Sequence, residues 1–372
     1  MSSRVLVIEP AGQLWGSERA LIDLIESVSD IEIAVCCPPG TPLLALLQKR
    51  NVKTFPYLIA ELHRKSRWRR LQAAFGVMRA CRAFKPGVLH VNQAGAYRMT
   101  SLAARLLGLS IVCHVRIFDD APHLAQRTPS PQRLVAIIAI SGAVQEEIRR
   151  FRNLDHIPVH LIYDAYAPVN GTEMSAIAAP RLAGIACVGR IVPIKGVDIL
   201  IKALATGTVP ADGPQCYIAG SGPESYVSEL RTLSAASPSV QITWLGVVDD
   251  VFSLLRSCRV LVCPSHREPL GRVVLEAWDA GCVPVVYRGS GGAAEIVTAS
   301  GGGIVYDDQT AESLADAIAR ALRLSDGQSL QLVENGRHWM TDYCNQEQFG
   351  RTIGCVFESA VRRKSYAVSK AR

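Results

Sequence analysis

Short apolar runs of strand length alternate with amphipathic stretches of helix length along most of the chain. That alternation constrains the fold more than any other feature. Residues 4–8 read as a strand, followed by a glycine-containing loop and a helix over about 18–28. Residues 31–36 read as a second strand, and 41–50 as a helix with a Thr-Pro start signal. Residues 88–91, 111–115 and 134–140 are further strands, each separated by helical segments. Strands that are continuously apolar must be covered on both faces. Successive β, α, β units therefore predict a parallel sheet with helices on each side.

The pattern breaks at 163–180, YDAYAPVNGTEMSAIAAP, whose Pro, Asn-Gly and small residues read as a linker. It restarts at 184–188, 215–219, 241–245, 260–263 and 283–287. A chain of 372 residues has room for two such domains. The expected architecture is α/β, with two Rossmann-like parallel-sheet domains facing an interdomain cleft. The first covers 1–165, a linker covers 166–180, and the second covers 181–340. A helical stretch within about 334–363 is expected to cross back onto the first domain, over about 340–363. Open parallel sheets bind ligands beyond the carboxyl ends of their strands, so the loops after strands are where chemistry is sought.

Composition narrows the classes. Hydrophobic residues make up 49% and charged residues 20%, which excludes overall disorder. No apolar run reaches the roughly 18 residues of a membrane span, and the amino terminus lacks a signal-peptide core. A cytoplasmic location is the expectation. The 11 Cys are scattered, without C-x-x-C or zinc spacing, which predicts buried, reduced thiols and no metal. The net charge of +7 fits an anionic substrate or an anionic membrane surface. No zinc-finger, RRM or KH signature is present, so nucleic acid is not an expected partner.

Three stretches could carry chemistry. In CPSHREPLGRVVLEAWDAG, residues 263–281, a strand ends at Cys263 and a helix opens near Arg272. Glu268 lies in the loop and Glu276 in the helix. The amides of Leu270, Gly271 and Arg272 sit where a helix terminus exposes donors suited to phosphate or a sugar hydroxyl. Two solvated carboxylates would give the same spacing. In VGRIVPIKGVD, Arg190 and Lys195 precede a helix at the sheet edge, where two cations can neutralise a diphosphate or simply remain solvated. Gly220-Ser221-Gly222-Pro223 reads as a phosphate loop or a tight strand-to-helix turn.

Taken in order, these pieces resemble the family 4 glycosyltransferases, retaining enzymes of the GT-B fold. They are joined by Trp244-Leu245-Gly246-Val247, Gly291-Gly292 with Glu295-Ile296-Val297, and Gly302-Gly303-Ile304-Val305, so the match spans about 184–310. The resemblance implies that Arg190 and Lys195 bind the diphosphate of a nucleotide-sugar donor. It implies that Glu268 holds donor-sugar hydroxyls with the amides of Leu270 and Gly271, and that Glu276 holds the ribose. Gly220 and Arg272 join that donor set, and the backbone from Leu245 through Val247 to Val248 faces the base. In the first half the family's glycine-rich loop corresponds to Gly12–Arg19, where Trp15 stands before Gly16 in place of an adjacent Gly-Gly. Gly16 then remains as the donor contact. His114, expected at a strand end, matches a family active-site His that orients donor or acceptor; a core or capping histidine is the alternative. The family's Asn-Gly at the domain crossing is here Asp164-Ala165, a change expected to matter little for chemistry.

The resemblance implies metal-independent transfer of a sugar to a glycan or lipid-linked acceptor in polysaccharide or glycoconjugate synthesis, with Glu268, His114, Arg190 and Lys195 as catalytic residues and no cofactor. The absence of D-x-D agrees with leaving-group stabilisation by cations and amides. The alternatives are another GT-B enzyme, an epimerase or phosphorylase, or a silent sugar-nucleotide-binding protein. The stretch HRKSRWRR places Arg64, Lys65, Arg67, Arg69 and Arg70 around Trp68. It suits peripheral contact with anionic lipid on the inner membrane face, acceptor binding, or a solvated helix start.

Overall fold

The computed structural model describes residues 3–57, 67–127, 133–169, 184–209, 215–236 and 241–369. The chain divides into two compact units, Met1–Tyr166 with Cys344–Arg372, and Ala167–Tyr343.

The first unit is built on strands β1 (Ser3–Ile8), β2 (Ile31–Cys37), β3 (Lys53–Pro56), β4 (Val88–Val91), β5 (Ser110–Val115), β6 (Leu134–Ala139) and β7 (Val159–Leu161). They form one sheet in the order β3-β2-β1-β4-β5-β6-β7, and each pairing is parallel. β4 and β5 are buried at every position, as strands covered on both faces must be. The order reverses between β1 and β4. That switch point opens a crevice at the carboxyl edge in sheets of this kind.

Helix Gln346–Ser369 belongs to this unit. Phe349, Ile353, Val356, Phe357 and Ala360 recur at helical spacing and lie buried in the same core as Val5, Val7 and Ile138. The helical stretch expected as one piece is two helices, Asp326–Tyr343 and Gln346–Ser369. Asn345 makes the break, because its side-chain Oδ1 accepts the Gln348 N–H at 3.0 Å and caps the new helix.

The second unit uses β8 (Gly184–Val188), β9 (Cys216–Ala219), β10 (Ile242–Gly246), β11 (Cys258–Cys263), β12 (Val283–Tyr287) and β13 (Ile304–Tyr306). Their order is β10-β9-β8-β11-β12-β13, again parallel. Helices Val197–Leu204 and Ala311–Arg323 pack one face, and Val251–Ser257 and Arg272–Ala280 the other. Trp278 is fully buried, and its Nε1–H donates to the Gly302 carbonyl at 2.6 Å.

The alternation in the sequence gives every long strand. β3, β7 and β13 escape it because each is three or four residues long and sits at a sheet edge, where burial imposes little pattern. The linker expected at 166–180 begins at Tyr166, the last residue of the first unit before the chain crosses. Asp164, Ala165 and Tyr166 are buried in the first unit, and the Tyr166 N–H donates to the Cys344 carbonyl. Residues 170–183 of that linker lie outside the described residues. So do Arg64 and Lys65, while Arg67, Trp68, Arg69 and Arg70 start helix Arg67–Phe84 with their side chains outside the description. All 11 cysteines are free thiols, ten buried and Cys355 exposed. Among the described residues no helix is long and apolar enough to cross a membrane.

Phe357 fills the first core without exposure, and its ring edge meets His90. Phe357→Ala should cost about 3–5 kcal/mol. Urea unfolding followed by circular dichroism would show it as an earlier first transition.

Candidate active site

In the second unit the loops after four strands converge. Lys195 ends the short turn Pro193–Lys195 after β8, and its ammonium donates to Glu268 Oε2 in the loop after β11. The pair is partly enclosed, with the side chains 22% and 12% exposed. The Ser265 hydroxyl donates to the same Glu268 oxygen at 3.2 Å. Burial pulls the Lys195 ammonium down, but the Glu268 carboxylate, the Cys263 sulfur and the hydrogen bond to Glu268 outweigh it and hold the pKa above the usual lysine value. Arg190 opposes this rise, which places a second positive charge close by. Arg190 itself is exposed in the loop after β8.

Backbone contacts lock these loops together. His266 N–H donates to the Ile194 carbonyl, Ile191 N–H to Ser221, Gly220 N–H to Gly246, and Gly292 N–H to Glu268. Glu268 also forms an isolated parallel bridge with Gly291. Gly220 is a close-approach position: its φ is +142°, and a Cβ there would stand 1.7 Å from the Gly189 carbonyl oxygen. Gly271 plays a related part as the N-cap of helix Arg272–Ala280. Its φ is +86°, and no side chain caps the helix there. Leu270 is buried, while Arg272 and Glu276 are half-buried on the helix. Leu245 and Val247 are exposed at the end of β10, Val247 by 73%. The structure thus brings Arg190, Lys195, Gly220, Leu245, Glu268, Leu270, Gly271, Arg272 and Glu276 to one carboxyl edge. Cations and helix amides gathered there have the chemistry to hold an anion, and the glutamates can accept hydrogen bonds from hydroxyls.

The first unit differs from expectation. His114 lies inside β5 with no exposure instead of at an open strand end. Its Nδ1 is 3.2 Å from His90 Nε2 and 3.4 Å from Arg116 Nη2. Arg116 can only donate, so Nδ1 accepts and the proton sits on Nε2, which is enclosed without a partner. Burial, then Arg116 and His90, hold the His114 pKa well below the usual imidazole value, so the ring is neutral. Burial brings His90 down to about 3.

Arg116 is the group the sequence reading passed over. It is 4% exposed, and it grips both Asp164 oxygens at 2.7 and 2.8 Å. Its Nε–H reaches the Asn92 backbone and side-chain oxygens, both at 3.1 Å. Asp164 thus has a structural part, since it neutralises a buried guanidinium. Glu9 directly follows β1 and is fully buried, accepting from Ala11 N–H, Asn92 Nδ2 and Gln93 Nε2. Burial, with the neighbouring Glu18, raises its pKa to about 8. The available signal was a polar residue directly after an apolar strand, as in Ile8-Glu9, Val91-Asn92 and Val115-Arg116. Gly16 opens helix Gly16–Ser27, and nothing lies within 4 Å of a Cβ placed there. Among the described residues no three His, Cys, Asp or Glu side chains gather to hold a metal ion.

The sequence pattern of Glycosyltransferase Family 4 matches residues 16–166, and that of Glycosyl transferases group 1 matches residues 180–339. A GDP-mannose-dependent alpha-(1-6)-phosphatidylinositol monomannoside mannosyltransferase of Mycobacterium tuberculosis is 31% identical over 204 residues, 51% of each chain. A glycogen synthase of Thioalkalivibrio sulfidiphilus is 35% identical over 147 residues, 37% of this chain and 30% of that one. The matches span about half, or less, of the length of these curated relatives. The crystal structure of Anabaena HepE in complex with UDP and glucose superimposes with a TM-score of 0.81, covering 96% of this chain and all of that one at 20% identity.

Two outcomes follow from the buried network of the first unit. Asp164→Ala leaves the Arg116 guanidinium buried and uncompensated, so stability should fall by about 3–5 kcal/mol in chemical denaturation. Glu9 has a folded-state pKa above its unfolded one. Its contribution is therefore complete below about pH 4.5 and is lost as pH rises to about 8. Denaturation at pH 5 and pH 8 should show the Glu9→Gln variant gaining on the wild type as pH rises.

Proposed function

We propose a reaction from one premise: the chain belongs to glycosyltransferase family 4, with a group 1 glycosyl transferase domain as its second half. The reaction is retaining, metal-independent transfer of a sugar from a nucleoside-diphosphate sugar to a glycan or lipid-linked acceptor. The observation that carries it is the Lys195–Glu268 pair at the carboxyl edge of the second sheet, beside Arg190 and an uncapped helix start.

The anomeric C–O bond breaks, and its electron pair leaves with the diphosphate. Negative charge grows on the phosphate while the sugar gains oxocarbenium character. Lys195, Arg190 and the amides at Gly271–Arg272 are suited to the first charge, because they are fixed before reaction and need little reorganisation. Glu268 is suited to the sugar hydroxyls and also fixes the Lys195 ammonium in place. Glu276 is suited to the ribose, and the exposed backbone around Leu245 and Val247 to the base. Metal independence rests on these resident cations. Retention rests on the family resemblance. The neutral, enclosed His114 supports a positioning role through the first-unit network.

HepE is described in complex with UDP and glucose, and the mycobacterial relative as GDP-mannose-dependent. Uridine and guanosine donors are therefore the first to test. The protein acts at the cytoplasmic face of a membrane in this reading. Exposed Leu71 and Phe75 on helix Arg67–Phe84 continue the segment of Arg67 to Arg70 and favour lipid contact.

Thermal shift against UDP, GDP, ADP and their sugar conjugates tests donor binding. A ligand at 100 times its Kd should stabilise by about 2.7 kcal/mol. Lys195→Ala and Arg190→Ala should lose that shift. Glu268→Ala should stay folded and lose transfer by about a hundredfold or more. Wild-type turnover in Glu268→Ala would overturn the site. Release of free nucleoside diphosphate only when acceptor is present separates a transferase from an epimerase.

A further inference from the structure

The carboxyl edge of the first sheet carries an exposed indole. Trp15 sits in the loop between β1 and helix Gly16–Ser27, at the β1–β4 switch point, and is 54% exposed. An indole half open to solvent offers an apolar face of the size of a sugar ring.

The backbone beneath the indole is fixed. The Trp15 N–H donates to Glu18 Oε2 at 3.0 Å, and its carbonyl accepts the Arg19 N–H at 3.0 Å. Glu18 is fully buried, and its other oxygen, Oε1, is enclosed without a hydrogen-bond partner. The loop has a closed and an open side. A Cβ at Gly12 would run into Thr41, whereas one at Gly16 would meet nothing within 4 Å. Polar side chains border the same turn: Gln93 Nε2 donates to the Ser17 hydroxyl at 3.0 Å, and both residues are half-buried.

We propose that Trp15 is a specificity-determining residue that stacks on a pyranose ring of the acceptor. The apolar C–H face of the ring lies on the indole, and ring hydroxyls meet Ser17 and Gln93. This rests on the transferase reading and names the class of acceptor. A rigid aromatic face with two hydrogen-bonding side chains matches the two-faced chemistry of a sugar ring. The segment around Trp15 contains exposed Gln13 and Arg19, without the continuous apolar stripe of a membrane-seated helix.

Difference fluorescence between wild type and Trp15→Phe isolates the emission of Trp15 from the other four tryptophans. The probes are maltotriose, α-1,6-mannotriose and vesicles of phosphatidylglycerol with phosphatidylcholine. A saturable change with a trisaccharide, absent from Trp15→Phe, is the expected result. With an acceptor that turns over, Trp15→Ala should raise acceptor KM by about tenfold at unchanged nucleotide binding, with Trp15→Phe restoring most of it. A response to vesicles alone overturns the proposal in favour of a lipid contact. No response to either sugar overturns it outright. If the nucleotide thermal shift persists in that sample, the transferase reading stands and only the Trp15 assignment falls. If the wild type shows neither shift nor sugar response, both fall.

Discussion

Parallel pairing is the constraint on which the rest depends. In each sheet the strands run the same way, so every loop that follows a strand lands on one edge. The amino edge receives the chain returning from helices, and the carboxyl edge collects the loops that can vary. This is why Lys195 and Glu268, 73 residues apart in sequence, meet at one point after β8 and β11. The same rule gathers Glu9, Asn92 and Arg116 after β1, β4 and β5. A mixed sheet would send neighbouring loops to opposite edges and scatter both sets.

The two edges use buried charge differently. In the first unit Arg116 is committed to Asp164 and Asn92, and it holds the end of β5 against the last residues before the chain leaves the unit. A guanidinium that donates to a carboxylate in two places and to two further oxygens has little left for a ligand. That network acts as a fastening. In the second unit Lys195 has three donors, and the structure shows one of them on Glu268. The ion pair there is partly open, and the helix start beside it lacks a side-chain cap. Such a pair can exchange part of its bonding for a phosphate.

The long strands, the two-unit division and the second-unit edge were legible because each has a local signature: a continuous apolar run, a break rich in Pro and small residues, or a glycine in a tight turn. Gly220 and Gly271 are examples whose backbone geometry leaves no room for a side chain. The first-unit network was not legible, since Arg116 and Asp164 are 48 residues apart and meet only through the sheet order. His114 shows the opposite failure. Its place near the end of an apolar run suggested an edge, but β5 is covered on both faces along its whole length, and the next polar residue, Arg116, marks the strand's end. The break at Asn345 was hidden because a side-chain cap can restart a helix without Gly or Pro.

Burial also decides how much charge each edge keeps. Near pH 7 Glu9 is mostly protonated, His90 and His114 are neutral, and Arg116 and Asp164 cancel. Asp120, pushed up to about 6 by burial, stays ionised with two backbone N–H groups donating to it. The first edge has therefore shed most of its charge, although its residues are rich in ionisable groups. The second carries two cations, Arg190 and Lys195, with Lys195 paired to Glu268. The two edges therefore differ in kind: cations at the second, and neutral hydrogen-bonding groups with an exposed indole at the first. The first sheet reaches that state by desolvating its acids and histidines, and the second by leaving its cations in reach of water.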